Sequence, residues 1–141
     1  MIALSISDVK GFMVKLLKED AFDGFLLKNA TIDTFARFEI YAAESETTAK
    51  WSDVRSYVFD VVKGNAAPKS IKIVLGGDTE RTGIENAAAL FINIHFENGK
   101  VNITTGLSKR SFSLDRTDDE KWDGMVMQFL DAAGIRYTRE A

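Results

Sequence analysis

The sequence predicts an α+β domain in which three amphipathic helices pack on one face of a mostly antiparallel sheet. Three observations carry this reading. An apolar stripe of helical period recurs three times along the chain, and between these stripes the period falls to two. Asn98-Gly99 also lies between two alternating runs, the pattern of a two-residue hairpin whose turn needs positive φ at both positions. Alternating strands with short connections favour an antiparallel sheet over a doubly wound parallel one.

The first helix is predicted by Val9, Phe12, Met13, Leu16 and Leu17, spaced i, i+3, i+4, i+7 and i+8. Ser7 is its expected cap, Asp8 lies in the first turn where the helix dipole favours negative charge, and Lys15 and Lys18 lie near the other end. From Leu26 to Ala42 the residues alternate, which fits one long bent strand or two strands in a hairpin. Glu44 to Lys50 is polar and reads as a loop.

Val54, Tyr57, Val58, Val61 and Val62 repeat the helical spacing. Ser52 is the expected cap of this helix, Gly64 its stop, and Trp51 a staple on the first turn. Ile71 to Leu75, after Pro68, is a strand candidate, and the glycine-flanked segment Gly76 to Gly83 reads as a mobile loop.

The Asn98-Gly99 turn fixes a register. Phe96 faces Val101, Ile94 faces Ile103 and Ile92 faces Thr105, while the other side pairs Glu97 with Lys100, His95 with Asn102 and Asn93 with Thr104. Apolar meets apolar and opposite charges meet. A turn around Gly106 to Lys109 would return Ser111 to Leu114 as a third strand. Thr117 to Glu120 then reads as a capping box, opening a helix whose stripe is Trp122, Met125, Val126, Phe129 and Leu130. Gly134 is its left-handed stop, and Ile135 makes the hydrophobic contact of a Schellman ending. Gly11 and Gly124 lie inside helices, where close approach by a neighbour is the expected reason to keep them.

The 141 residues, 45% apolar and 28% charged, fit a single globular domain spanning 1–141. A net charge of -3 argues against nucleic acid as the partner, and the absence of cysteine excludes disulfides, thiolate metal sites and a cysteine nucleophile. No leader-like or membrane-spanning apolar run is present, so a cytoplasmic setting is expected.

Candidate chemistry is sparse. His95 is the only histidine, and beside Glu97 it could act as a general base of a small hydrolase, though no nucleophile motif accompanies it. The carboxylates from Asp115 to Asp123 lack calcium-loop spacing and are explained by the helix dipole, so no metal and no cofactor is expected. Thr104, Thr105, Ser108, Lys109 and Arg110, grouped at the expected strand turn, could hold phosphate or another anion, nucleic acid included. Phe35, Tyr41 and Phe91, with His95, fall on the parity opposite the core. They would form an exposed face for a protein partner or a second subunit. A non-enzymatic interaction module is therefore the leading expectation.

The chain also resembles a family of small bacterial proteins, mainly clostridial, built on a domain of unknown function. The resemblance is carried by Val9-Lys10, Phe12-Met13, Leu16-Leu17, Leu90 to Ile94 and Asn98-Gly99-Lys100. It continues through Thr104-Thr105-Gly106, Phe112 to Asp115, Trp122-Asp123, Phe129-Leu130 and Gly134-Ile135. Glu44 to Asn86 carries little of it. The resemblance implies a bacterial cytosolic setting and supplies no site residues.

Overall fold

The computed structural model describes residues 1–42, 49–63 and 68–140. Within them the chain forms β1 (Ala3–Ile6), α1 (Val9–Leu17), β2 (Leu26–Asp33), β3 (Arg37–Tyr41), β4 (Ala49–Lys50) and α2 (Trp51–Val62). There follow β5 (Ser70–Gly76), α3 (Thr79–Thr82), β6 (Ala87–Glu97), β7 (Lys100–Lys109), α4 (Thr117–Ala132) and β8 (Tyr137–Arg139). The result is an α+β fold with an open antiparallel sheet in the order β3-β2-β5-β6-β7-β1-β8, and β4 also paired to β2.

The hairpin register stands in full: all six predicted pairs are present between β6 and β7. Asn98 and Gly99 have φ of 53° and 72°, as the tight turn requires. Leu26 to Ala42 resolves into two strands, because Thr34, Phe35 and Ala36 form a turn in which the Thr34 N–H donates to the Ala36 carbonyl at 2.9 Å.

Several expectations are corrected. Gly106 to Lys109 is not a turn. β7 continues through it, with Gly106 opposite Phe91 and Leu107 opposite Leu90, so ladder pairing overrides the local turn composition. Ser111 to Leu114 consequently forms no strand, and Phe112 and Leu114 are exposed. The edge this segment would have taken belongs to β1, which pairs with β7 and β8. Gly76 to Gly83 holds the end of β5 and the short α3, whose cap is the Asp78 carboxylate. Glu44 to Thr48 and the Gly64 stop lie outside the described residues, while Ala49–Lys50 is strand rather than loop.

The helix starts shift as well. The cap of α1 is Asp8, whose Oδ1 accepts the Gly11 N–H at 3.0 Å, and not Ser7. α2 begins at Trp51, one residue ahead of the expected cap Ser52. The Trp51 indole is fully buried and donates to the Leu16 carbonyl of α1 at 3.1 Å. Thr117 is the first residue of α4 rather than its cap, and both its N–H and its hydroxyl donate to Asp115 Oδ1. The Schellman ending is present: Ile135 N–H donates to Leu130 O at 2.9 Å, Gly134 N–H to Asp131 O at 3.1 Å, and Gly134 has φ of 72°.

The core is one cluster. It joins Phe12, Leu16 and Leu17 of α1, Trp51 and Val58 of α2, and Trp122, Val126 and Leu130 of α4 with one parity of the strands. On that parity Ala30, Ile32, Ile71, Ile73, Ile92, Ile94, Val101, Ile103 and Leu4 are at most 1% exposed. Phe12, Phe22, Phe25 and Phe129 add a chain of edge-to-face and tilted ring contacts, which favours one arrangement of these segments over others.

Candidate functional site

Because side chains alternate along a strand, the opposite parity forms a second face whose rows follow directly from the pairing. One row runs Glu39, Thr31, Lys72, His95, Asn102, Ser5, Thr138 across seven strands, a width of about 29 Å at the usual inter-strand spacing. The next row runs Tyr41, Asn29, Val74, Asn93, Thr104, Ala3. Every residue of these two rows except Val74 is part-buried or exposed. The adjoining row on the same face runs Arg37, Asp33, Ser70, Glu97, Lys100, so the face combines amides and hydroxyls with charges of both signs.

Phe91 stands in a third row with Gly76 on one side and Gly106 on the other. A Cβ at Gly106 would meet Phe91 atoms at 3.7 Å, an ordinary van der Waals contact, so the Phe91 side chain lies directly against β7 there. Lys28, the extra residue of a bulge in β2, lays its aliphatic stem over Gly76. Tyr41 is 60% exposed on this face, and the neighbouring Glu39 carboxylate raises its phenol pKa by hydrogen bonding and then by charge.

The expected interaction residues are only partly brought together. Tyr41, Phe91 and His95 share the second face. Phe35 does not belong with them: it sits at the β2–β3 turn, 84% exposed, and packs edge-on against Phe38, a residue of the core parity, at 5.9 Å. The period-two pattern placed Phe35 with Tyr41 by parity, but Phe35 lies between β2 and β3, where strand alternation no longer sets which way a side chain faces.

The expected anion group is dispersed. Thr104 faces the second face, whereas Thr105 is fully buried on the core side, as consecutive strand residues must be. The Lys109 ammonium donates to the Ser113 carbonyl at 3.1 Å and the Asp115 carbonyl at 2.7 Å, and lies 3.5 Å from Asp119. Arg110 Nε donates to the Ala87 carbonyl at 3.2 Å. Lys109, and Arg110 through its Nε, are engaged by the chain's own oxygens, while Ser108, opposite Ala89, is exposed on the same face as Thr104.

His95 Nε2 lies 3.3 Å from Glu97 Oε2 on the exposed surface, and its lateral neighbours are Lys72 and Asn102. Among the described residues no group of three or more His, Asp or Glu side chains is placed to hold a metal ion. Also among them, no helix is long and apolar enough to cross a membrane.

A small apolar hollow of about 180 Å³ lies between α3 and α4, floored by Phe25, Trp122, Met125 and Phe129 and rimmed by Asp78 and Arg81. Sequence reasoning did not anticipate it. Its floor comes from Phe25 and from the stripe assigned wholly to the core, and its rim from a segment read as loop.

Residues 15–138 match a family described as a family of unknown function (DUF5721). No curated protein and no solved structure matches the chain.

Proposed function

The chain belongs to this family of unknown function, and from that premise we propose that it is a non-enzymatic interaction module whose second sheet face is its contact surface. The observation that carries the reading is the accessible row from Glu39 to Thr138, flanked by Tyr41 and the glycine-framed Phe91. A broad surface of amides, hydroxyls and charges of both signs with a few aromatic anchors suits recognition of another macromolecule, since aromatic rings supply buried area and the polar groups fix orientation. The reading extends to architecture and setting. α1, α2 and α4 form the layer on the core face, leaving the other face for a partner in a bacterial cytoplasm.

The test is a photo-crosslinking residue placed at Asn93, on the face, or at Lys121, on the exposed side of α4. The expected result is one discrete adduct from position 93, lost with Tyr41→Ala and reproduced with the purified captured partner. No adduct, or equal adducts from both positions, rejects the reading.

A further inference from the structure

β3 is an edge strand, and among the described residues nothing pairs with its outer side. Its backbone orientation follows from two hydrogen bonds. The Asp33 carbonyl accepts the Lys69 N–H at 2.7 Å, so Asp33 directs its backbone groups toward β5. The Thr34 N–H reaches Ala36 O across the turn, so even-numbered residues face one another between β2 and β3. Arg37, paired with Asp33, therefore turns its N–H and C=O outward, and Glu39 and Tyr41 do so at period two. A row of unmatched donors and acceptors on an edge is a template for another strand.

The side chains along that edge have an uncommon symmetry. Read from either end, Phe35-Ala36-Arg37-Phe38-Glu39-Ile40-Tyr41 gives aromatic, aliphatic, charge, phenylalanine, opposite charge, aliphatic, aromatic. We propose that β3 pairs antiparallel with β3 of a second copy about a two-fold axis at Phe38, joining two sheets edge to edge. This goes beyond the face reading, since it uses the sheet edge rather than the face and names a second copy of the chain as the partner.

In this register Arg37 lies opposite Glu39 of the second copy, Phe38 opposite its counterpart, Ile40 opposite Ala36, and Tyr41 beside Phe35. The outward backbone groups of Arg37 and Glu39 meet as hydrogen-bonded pairs, and Phe38 forms the closer non-hydrogen-bonded pair at the axis. Shifting the centre by one residue, to Glu39, would keep outward backbone groups opposite one another but set glutamate against glutamate and Arg37 against Tyr41, so charge selects the register centred on Phe38. Within each copy Arg37 Nε already donates to Asp33 Oδ1 at 2.7 Å. Pairing would place the guanidinium between two carboxylates, and would cover part of Phe35 and Tyr41, which are 84% and 60% exposed.

The experiment is light scattering across a concentration series on the full chain, with circular dichroism to monitor the fold. The wild type is expected to be a dimer that dissociates on dilution. Glu39→Pro removes an N–H that points away from β2, so the fold should survive while the dimer is lost. Glu39→Lys sets like charges opposite each other twice and should raise the dimer dissociation constant by about tenfold. Since the chain has no cysteine, Phe38→Cys should give a single disulfide-linked dimer under oxidation, and Glu39→Cys should not.

A wild type that is monomeric at every concentration overturns the proposal and leaves the edge to a strand from another protein. A dimer whose dissociation constant is the same in Glu39→Pro and Glu39→Lys also overturns it. The face reading is judged separately by the adduct at position 93. A monomer with that adduct removes only the edge pairing, and a dimer without it removes only the face.

Discussion

The Thr105 hydroxyl donates to Asp123 Oδ1 at 2.5 Å while accepting the Ile2 N–H at 3.0 Å, so one buried threonine ties α4 to β7 and β1 together. Thr105 is fully buried and Asp123 is 8% exposed, which removes water as a substitute partner. Thr105→Val keeps the shape and deletes the hydroxyl, leaving a buried N–H and a carboxylate oxygen each short of a hydrogen bond. The expected loss is about 1–3 kcal/mol of unfolding free energy in a urea titration with an unchanged slope. A loss within error would show that the network contributes nothing net.

Two glycines should respond with opposite sign to the same substitution. A Cβ at Gly77 would lie 2.7 Å from Trp122 Cη2, and that indole is held in place by its N–H donating to Phe91 O at 3.1 Å. Gly77→Ala should therefore cost about 1–3 kcal/mol and perturb tryptophan fluorescence. A Cβ at Gly124 would meet nothing within 4 Å, in the interior of α4. Gly124→Ala should raise stability by up to about 1 kcal/mol, seen as a higher melting temperature. Destabilisation at position 124 would contradict the open surroundings there.

These glycines also show where the sequence was and was not legible. Both interior helix glycines suggested close approach by a neighbour. At Gly11 the close neighbour is Asp8, the helix's own cap, and at Gly124 there is none. The β6–β7 register was readable because turn geometry and cross-strand pairing are local and agree. The positions of β1 and β8 were not, because Leu4 pairs with Ile103 and Ile6 with Tyr137, far along the chain, and three- or four-residue strands carry too little periodicity to declare themselves. The anion group failed for a related reason. Thr104 to Arg110 is contiguous in sequence, but once it is strand its neighbours alternate faces. Sequence proximity implies a shared site only where the chain turns.

Asp115 provides a pH-dependent signature of the true α4 start. Hydrogen bonds from the Thr117 hydroxyl, and then from its backbone N–H, lower the Asp115 pKa below its ordinary value of 3.8. A carboxylate whose folded pKa is depressed stabilises the native state above its unfolded pKa, and that contribution is lost as the pH falls through the folded value. Carboxyl NMR titration should find Asp115 among the late-protonating aspartates, and Thr117→Val should raise its pKa by removing the largest cause. An unshifted titration in the variant would mean that the hydroxyl bond does not form in solution.

Lys109 distinguishes an anion site from a structural tie. With its ammonium donating to Ser113 and Asp115 carbonyls and lying near Asp119, it joins the end of β7 to the segment that leads into α4. Lys109→Met keeps most of the aliphatic stem and removes the charge. The expected outcome is faster amide hydrogen exchange and easier proteolytic nicking between Ser111 and Arg116, with global stability nearly unchanged because the segment is exposed and buries no core residue. Phosphate added to the wild type should protect nothing in this segment, since the Lys109 ammonium already donates to two carbonyls and lies beside the Asp119 carboxylate. Protection by phosphate that disappears in Lys109→Met would restore the anion reading at the expense of the tie.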